Sequence, residues 1–148
     1  MVFNRFHGDE MAWRKPLGTL STPRSTSASV SRSMRANKSS GTKPELLLSR
    51  LLRKKISKND LPGKPDFVFP RKKMVVFLHG CFWHRCPQCA FGLPKRNRKF
   101  WATKFERNRA RDRLVKRELK SMGWRVIEVW EHELKRDPMR VKEQILQH

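Results

Sequence analysis

The chain has 148 residues and a formal net charge of +22 at pH 7, from 35 lysines and arginines against 13 acidic residues. This length allows one domain with a modest core, or a smaller domain with a tail. The positive charge exceeds what solubility requires, so it predicts a polyanionic partner, with nucleic acid as the first candidate. No apolar run approaches the roughly 18 residues of a membrane-spanning helix, which leaves a membrane surface as the second candidate.

The start of the chain is basic and rich in hydroxyl side chains. From Thr19 to Thr42 about half of the positions are serine or threonine, a composition that cannot bury enough apolar surface to fold. We therefore predict a basic, disordered arm over residues 1–30 and a folded domain over residues 31–148. The arm either lies along DNA or is an uninvolved tail, and Arg32 and Arg35 are the better candidates for contact.

The first predicted elements are a helix and a hairpin. Thr42 to Glu45 has the form of a capping box with a proline in the first turn, so a leucine-rich helix should start there and run into residues 53–55. A turn over residues 61–65 follows. Residues 67–69 and 74–78 then read as two short antiparallel strands joined by residues 70–73.

A long basic helix is predicted after Asn97, which can cap it, and it should end near Gly123. Asp112 is the informative residue on its inner face, because a carboxylate on an apolar stripe is costly unless a cation or hydrogen-bond donor meets it. At helical spacing the inner face consists of Trp101, Phe105, Asn108, Asp112, Val115, Leu119 and Met122.

The last elements complete a small α/β pattern. Residues 124–130 read as a third strand, and Asp137 with Pro138 begins a final, covering helix. The order of helix, two strands, helix, strand and helix predicts an α/β fold with a mixed sheet flanked by helices.

All three cysteines and two of the five histidines fall within residues 79–89. Three thiols cannot all pair as disulfides, so shared metal ligation is the interpretation that uses them all. Cys81, Cys86 and Cys89 with one histidine would form a structural Cys3His zinc site, for which His84 is itself a candidate ligand. The alternative is three buried free cysteines.

A second candidate site lies at the end of the predicted hairpin. If the strands pair tightly, Asp66 and His79 reach the same sheet edge, which Glu45 can also approach; such an oxygen site suits Mg²⁺ and phosphodiester hydrolysis. His84 would then be a general base or acid, with Asp112 on its other ring nitrogen. Each residue also has a structural alternative: Glu45 as the capping acid, Asp66 as a turn residue, His79 as a strand-end histidine, and Asp112 as the partner of a neighbouring arginine.

Three aromatic residues stand in this basic context. Phe82 and Trp83 are adjacent in the predicted metal-bound loop, and Trp101 lies at the start of the basic helix. Apolar wedges on a basic surface are used to unstack a base step and bend DNA. Core packing is the alternative, most of all for Trp101.

The motifs together strongly resemble the Vsr-type very-short-patch repair endonucleases over about residues 31–135. The resemblance implies a restriction-endonuclease-like α/β core that nicks one strand of duplex DNA on the 5′ side of the thymine in a T:G mismatch, the product of deaminated 5-methylcytosine. The motifs that carry it are Pro62-Gly63-Lys64-Pro65-Asp66-Phe67-Val68, His79-Gly80-Cys81-Phe82-Trp83-His84, Phe100-Trp101, Gly123-Trp124-Arg125-Val126 and Val129-Trp130-Glu131.

The resemblance also implies roles for individual residues. Asp66 matches the Mg²⁺-binding aspartate, His79 and Glu45 match groups that hydrogen-bond metal-bound waters, and His84 matches the catalytic histidine with Asp112 as its acid partner. Phe82, Trp83 and Trp101 match residues that intercalate beside the mismatch. The structural zinc would be held by Cys81, Cys86, Cys89 and His132, which leaves His84 free for chemistry.

For the cell, the resemblance implies a monomer in the bacterial cytoplasm, associated with the nucleoid when bound to DNA, with mismatch-repair proteins as further candidate partners. The absence of a signal peptide agrees with a reducing compartment.

One segment departs from the family pattern. Family members usually have a longer segment with an extra strand before Leu61, whereas this chain has only residues 53–60. The sequence therefore leaves two alternatives open. One is a zinc-stabilised DNA-binding module of the same fold that has lost cleavage, and the other is a nuclease of this fold acting on other lesions or on unmodified DNA.

Overall fold

The computed structural model describes residue 21 and residues 41–148. Helix α1 spans Lys43–Leu52, and the hydroxyl of its N-cap, Thr42, accepts a hydrogen bond from the Glu45 amide at 3.5 Å, which confirms the predicted helix start. The helix ends earlier than predicted, because Arg53 adopts a left-handed conformation (φ 48°) and its amide bonds back to the Arg50 carbonyl. The predicted arm, residues 1–30, lies outside the described residues except for residue 21, and Arg32 and Arg35 also lie outside them.

A mixed three-stranded sheet forms the centre of the described part of the chain. Strands β1 (Phe67–Phe69) and β2 (Met74–His79) pair antiparallel around a short 3-10 helix (Pro70–Lys72), as the sequence predicted. Strand β3 (Arg125–Trp130) pairs parallel with β2 and gives the order β1-β2-β3. His79 is the last residue of β2, so its side chain lies at the carboxyl end of the two parallel strands.

Helix α2 spans Arg98–Ser121 and connects β2 with β3. Asn97 does occupy the N-cap position, but its backbone is left-handed (φ 55°) and its side chain makes no capping hydrogen bond, so that prediction was wrong in mechanism. Met122 was also misassigned to the inner face, since 46% of its surface is exposed. Met122 follows the last residue of α2 and precedes Gly123 (φ 79°), at a point where the apolar face of the helix no longer faces the sheet.

Two short helices, α3 (Glu131–Arg136) and α4 (Pro138–Gln147), complete the chain. Asp137 caps α4 as predicted, accepting a hydrogen bond from the Arg140 amide at 3.0 Å. Helix α3 was not predicted, because it starts directly at the end of β3 without a turn. The Glu133 carboxylate accepts the Trp130 amide at 3.0 Å and so satisfies the backbone at this junction.

Both faces of the sheet are buried, which confirms the predicted α/β fold. Helices α1, α3 and α4 cover one face, and α2 covers the other. The first core contains Leu48, Phe67, Met74, Val76, Val129, Leu134, Val141 and Ile145. The second contains Val75, Val115 and Leu119, with Leu61, Val68, Phe77, Trp124 and Val126 packed against them. No helix among the described residues is long and apolar enough to cross a membrane.

The short segment at residues 53–60 runs beside β1. The Ser57 amide donates to the Asp66 carbonyl at 2.7 Å, and the Ser57 hydroxyl accepts from the Val68 amide at 3.0 Å. The Asn59 side-chain amide donates to the Pro65 carbonyl at 3.0 Å. The segment therefore hydrogen-bonds to the backbone around Asp66 although it forms no strand.

Candidate active site and metal centre

The loop after β2 folds through consecutive tight turns. The amides of His84, Cys86 and Ala90 bond back to the carbonyls of Gly80, Cys81 and Cys86 at 3.1, 2.9 and 3.0 Å. Arg85 and Ala90 adopt left-handed backbone conformations (φ 54° and 45°), which lets the chain reverse within a few residues. These reversals turn the three cysteines inward.

The four predicted zinc ligands converge on one point. One ligand atom from each of Cys81, Cys86, Cys89 and His132 lies within 4.8 Å of the others. The His132 Nδ1 is 3.3 Å from the Cys81 Sγ and 3.5 Å from the Cys86 Sγ. A tetrahedral ion with ordinary Zn–S and Zn–N bond lengths separates its sulfur and nitrogen ligands by about 3.6 Å. The donor set and its spacing therefore fit a zinc ion.

Groups around the ligands support this fit. The Nε2 of His132 lies 2.8 Å from the Gln88 Oε1, which orients the ring with Nδ1 toward the sulfurs. Burial raises the pKa of the Cys81 thiol to about 11, against a lowering by the hydrogen bond from the His132 amide, and the Cys89 thiol raises it further. A divalent cation at the centre would favour the thiolates instead.

Asp66 is fixed at the opposite side of the same loop. Its Oδ2 accepts the Leu78 amide at 2.7 Å, so β2 holds the carboxylate in place. The turn before it packs tightly on α2: Gly63 has φ 71°, and a Cβ there would lie 2.5 Å from a Val115 methyl carbon. Burial raises the pKa of Asp66 to about 6, and the nearby Glu45 carboxylate raises it further, against a lowering by the Leu78 hydrogen bond. A cation placed here would relieve the cost of burying this charge.

Glu45 carries out the structural role that the sequence left open. It is 8% exposed, its Oε2 accepts the Gly41 amide at 2.7 Å, and its Oε1 accepts the Thr42 hydroxyl at 2.8 Å. It is therefore the capping acid of α1, and it also lines the same cavity as Asp66. Its predicted role toward metal-bound water stays a prediction.

His84 and Asp112 form a hydrogen-bonded pair across the cavity. The His84 Nδ1 lies 2.6 Å from the Asp112 Oδ2, which accounts for a carboxylate on the inner face of α2. The side chain of Asn108, on the same helix, donates to the Trp83 carbonyl at 3.2 Å and ties the loop to α2. The ring of His84 is 4.3 Å from that of His79, measured between centroids.

A single open cavity of about 800 Å³ joins these groups. Its lining contains both histidines and several carboxylates. All five residues predicted for catalysis line it: Glu45, Asp66, His79, His84 and Asp112. The structure therefore brings together residues from α1, the start of β1, the end of β2, the following loop and α2.

The predicted DNA wedges belong to one aromatic cluster beside this cavity. Phe82 lies 5.2 Å from both Trp83 and Phe105, and Trp83 lies 6.0 Å from Trp101, between ring centroids. Phe82 and Trp83 are partly exposed, whereas Trp101 is 7% exposed and packs behind them. Sequence reasoning missed Phe91, which is 46% exposed and makes an edge-to-face contact with Phe82.

Sequence reasoning also missed Glu128. Its Oε1 is 2.9 Å from the Nε2 of His79, and its Oε2 accepts from the Lys116 ammonium at 2.9 Å. The hydrogen bond from His79 and then that from Lys116 lower the pKa of Glu128 to about 2, against burial. The sequence did contain a signal for this residue. Glu128 shares with Val126 the strand face toward α2, and an acid on an apolar face implies a partner.

Comparisons with known proteins identify the chain. A sequence model of the family described as DNA mismatch endonuclease Vsr matches residues 24–90. The DNA mismatch endonuclease Vsr of Escherichia coli strain K12 is 38% identical over 109 residues, covering 70% of each chain. The chain belongs to the Vsr family.

Other relatives of the Vsr family agree with this assignment. The type II nicking enzyme V.NaeI of Lentzea aerocolonigenes is 41% identical over 136 residues, 85% of this chain and 81% of the relative. V.XorIIP of Xanthomonas oryzae pv. oryzae, also a type II nicking enzyme, is 44% identical over 107 residues, 68% of this chain and 78% of the relative. As a Vsr-family member the chain is a DNA endonuclease, a hydrolase, with the restriction-endonuclease-like core that the resemblance implied.

Proposed function

We propose that this endonuclease nicks one strand of duplex DNA on the 5′ side of the thymine in a T:G mispair, by Mg²⁺-dependent hydrolysis in very-short-patch repair. The observation that carries the proposal is the cavity in which Asp66, His79 and the His84–Asp112 pair face one another. A carboxylate for a hard cation beside a histidine with an acid partner is what phosphodiester hydrolysis needs.

Asp66 is the group that would hold Mg²⁺, and Glu45 and His79 would hydrogen-bond its waters. Oxygen donors and an open, polar cavity fit this ion, and a bound cation would offset the burial that raises the pKa of Asp66. When bound, the ion lowers the pKa of water and offsets charge on the phosphate.

His84 would handle the proton of the attacking water. Its Nδ1 is engaged by Asp112, so when the proton sits on Nδ1 the Nε2 keeps a lone pair that can accept another. Asp112 also stabilises the imidazolium that results, since the two side chains are in direct contact. The ring thus acts as a general base whose orientation is set by α2.

The Cys3His centre would be a structural zinc site that holds the loop. Because Phe82, Trp83 and His84 lie between two of its cysteines, the centre fixes both the general base and the aromatic residues. The exposed edges of Phe82 and Trp83, backed by Trp101, would enter the base stack at the mismatch. Binding to DNA and its cleavage then share one rigid loop.

The short segment at residues 53–60 bears on the rival function, DNA binding without cleavage. Its hydrogen bonds to the Asp66 carbonyl and the Val68 amide support the strand that presents the catalytic carboxylate. This support favours an active nuclease over the inactive module.

A nicking assay tests the proposal. An end-labelled duplex with one T:G mispair, incubated with Mg²⁺, should be cut on one strand 5′ of the thymine, while the matched T:A duplex stays intact. Asp66→Ala should bind the duplex but lower nicking by roughly 10³-fold or more, since several kcal/mol of transition-state stabilisation are removed. Binding without nicking by the unaltered protein would support the DNA-binding module, and equal cleavage of both duplexes would support a nuclease without mismatch selectivity.

A further inference from the structure

We infer that Glu128, held by Lys116, is a positioning residue that fixes the His79 ring with its proton on Nε2 and its lone pair on Nδ1. This inference rests on the proposed role of His79 beside the bound ion. It adds a residue of β3, and a second residue of α2, to a site that also draws on α1, the start of β1, the end of β2 and the loop.

The contacts of His79 carry the inference. Its side chain is 8% exposed, and its Nε2 lies 2.9 Å from the Glu128 Oε1. A carboxylate accepts hydrogen bonds and cannot donate them, so the nitrogen facing Glu128 must carry the proton. The neutral ring then presents Nδ1 as its acceptor, and only that tautomer can receive a hydrogen bond from a metal-bound water.

Neighbouring rings restrict the same side chain. The Phe77 ring is nearly parallel to that of His79, at an interplanar angle of 4° and a centroid distance of 6.0 Å. Trp130, its partner across the parallel strands, lies 5.3 Å away. These rings limit the plane of the imidazole but have no preference for either tautomer, so Glu128 is the group that selects the proton's position.

Lys116 holds the carboxylate in turn. Its ammonium is 2.9 Å from the Glu128 Oε2, the oxygen that does not face His79. The two oxygens of Glu128 therefore have different partners, and the carboxylate cannot rotate without breaking one contact. The arrangement parallels the pair formed by His84 and Asp112, but it engages Nε2 of one histidine and Nδ1 of the other.

Glu128→Leu should lower kcat for T:G nicking by roughly 10- to 100-fold, the usual effect of removing a partner of a histidine at a metal site. The Kd for the T:G duplex should not rise, because Glu128→Leu removes a negative charge from the cavity lining and no contact that attracts phosphate. Glu128→Gln keeps a single acceptor oxygen, for which His79 and the Lys116 ammonium compete, so its kcat should lie between those of the unaltered protein and Glu128→Leu. Glu143→Leu removes the same charge from an exposed position on α4 and should change neither value.

Lys116→Met tests the contact between the Lys116 ammonium and the Glu128 carboxylate. Alone it should have a smaller effect on kcat than Glu128→Leu. Combined with Glu128→Leu it should cause no further loss, because the two residues act through one hydrogen bond to His79. Additive losses would show that Lys116 acts elsewhere and would overturn its assigned role.

The tautomer can be measured without any activity. Nitrogen-15 NMR of histidine-labelled, zinc-loaded protein should show the His79 proton on Nε2. The double variant Glu128→Gln with Lys116→Met should keep it there, because the amide oxygen then has only the His79 proton to accept. A proton on Nδ1 in the unaltered protein overturns the inference. A normal kcat for Glu128→Leu also overturns it. So does an equal fall of kcat and of duplex affinity in both the Leu and the Gln variant, together with a lowered Tm. If the unaltered protein does not nick T:G duplexes, the proposed function fails while this measurement still tests Glu128.

Discussion

The two clusters on the loop at residues 79–89 are built differently, although they share a few residues of backbone. The sulfur cluster is closed: its four ligand atoms converge, and two of its cysteines, Cys81 and Cys86, are buried. The catalytic cluster is open, with each histidine tied to its own carboxylate around a cavity of about 800 Å³. A closed site is suited to holding a structure, and an open one leaves space for a phosphate and water.

This difference separates the functions of two histidines in the same fold. His132 faces three thiols, whereas His84 faces an aspartate although it lies between two of the cysteines in sequence. Variants of the closed cluster should therefore affect folding and metal content together with activity. Replacing a histidine of the open cluster should affect activity alone.

The largest effect is expected for His132→Ala. It should lose zinc and with it soluble, folded protein, because the binding energy of a structural zinc is largely folding energy. Metal content by mass spectrometry and the Tm measure this outcome. His148→Ala, which alters an exposed histidine at the end of α4, is the matched control and should keep both. Full zinc content in His132→Ala would contradict the ligand assignment.

His84→Ala should lower kcat by roughly 10²- to 10⁴-fold, the usual contribution of a general base, with zinc content and Tm unchanged. Single-turnover nicking of a T:G duplex measures the first quantity and metal analysis the second. If this variant released zinc while His132→Ala retained it, the roles of the two histidines would be reversed.

Asp66 should make stability depend on pH. Its folded pKa of about 6 lies above the ordinary value of 3.8, so the neutral form is favoured in the folded state. The resulting stability is complete below about pH 4 and is lost as the pH rises through 6, by up to about 3 kcal/mol.

Urea unfolding of zinc-loaded protein at pH 5 and pH 7.5, without Mg²⁺, measures the part of this loss that falls above pH 5, about 1.4 kcal/mol. Asp66→Asn should remove it, and Mg²⁺ should restore stability at the higher pH only when Asp66 is present. Asp60→Asn, at an exposed position in the preceding segment, should keep the pH dependence of the unaltered protein. If Asp66→Asn loses as much stability between pH 5 and pH 7.5 as the unaltered protein does, the pH dependence does not come from Asp66.

Much of this structure could be predicted from patterns in the sequence. The capping box and the hairpin each predicted a contact within a short stretch of chain. Asp112 contacts His84 on another element, but its position on an apolar stripe already indicated that it needs a hydrogen-bond donor. Glu128 was missed because its partners His79 and Lys116 come from two other elements, and only the register of β3 against β2 brings them together. The burial of Trp101 was also undecided, since it depends on how the loop packs against α2.

The smallest effect concerns the basic side of α2, where DNA should extend beyond the cavity. Arg117 and Lys120 line a shallow groove of about 410 Å³ that shares Lys116 and Glu128 with the main cavity. Replacing both with glutamine should weaken duplex binding several-fold and reduce the slope of log K against log salt by about 2, because each phosphate contact contributes about 0.9. The double variant Arg140→Gln with Lys142→Gln alters the same charge on α4, across the sheet, and should leave the slope unchanged. A reduced slope in the α4 variant alone would place the duplex on the opposite face from the cavity's basic border.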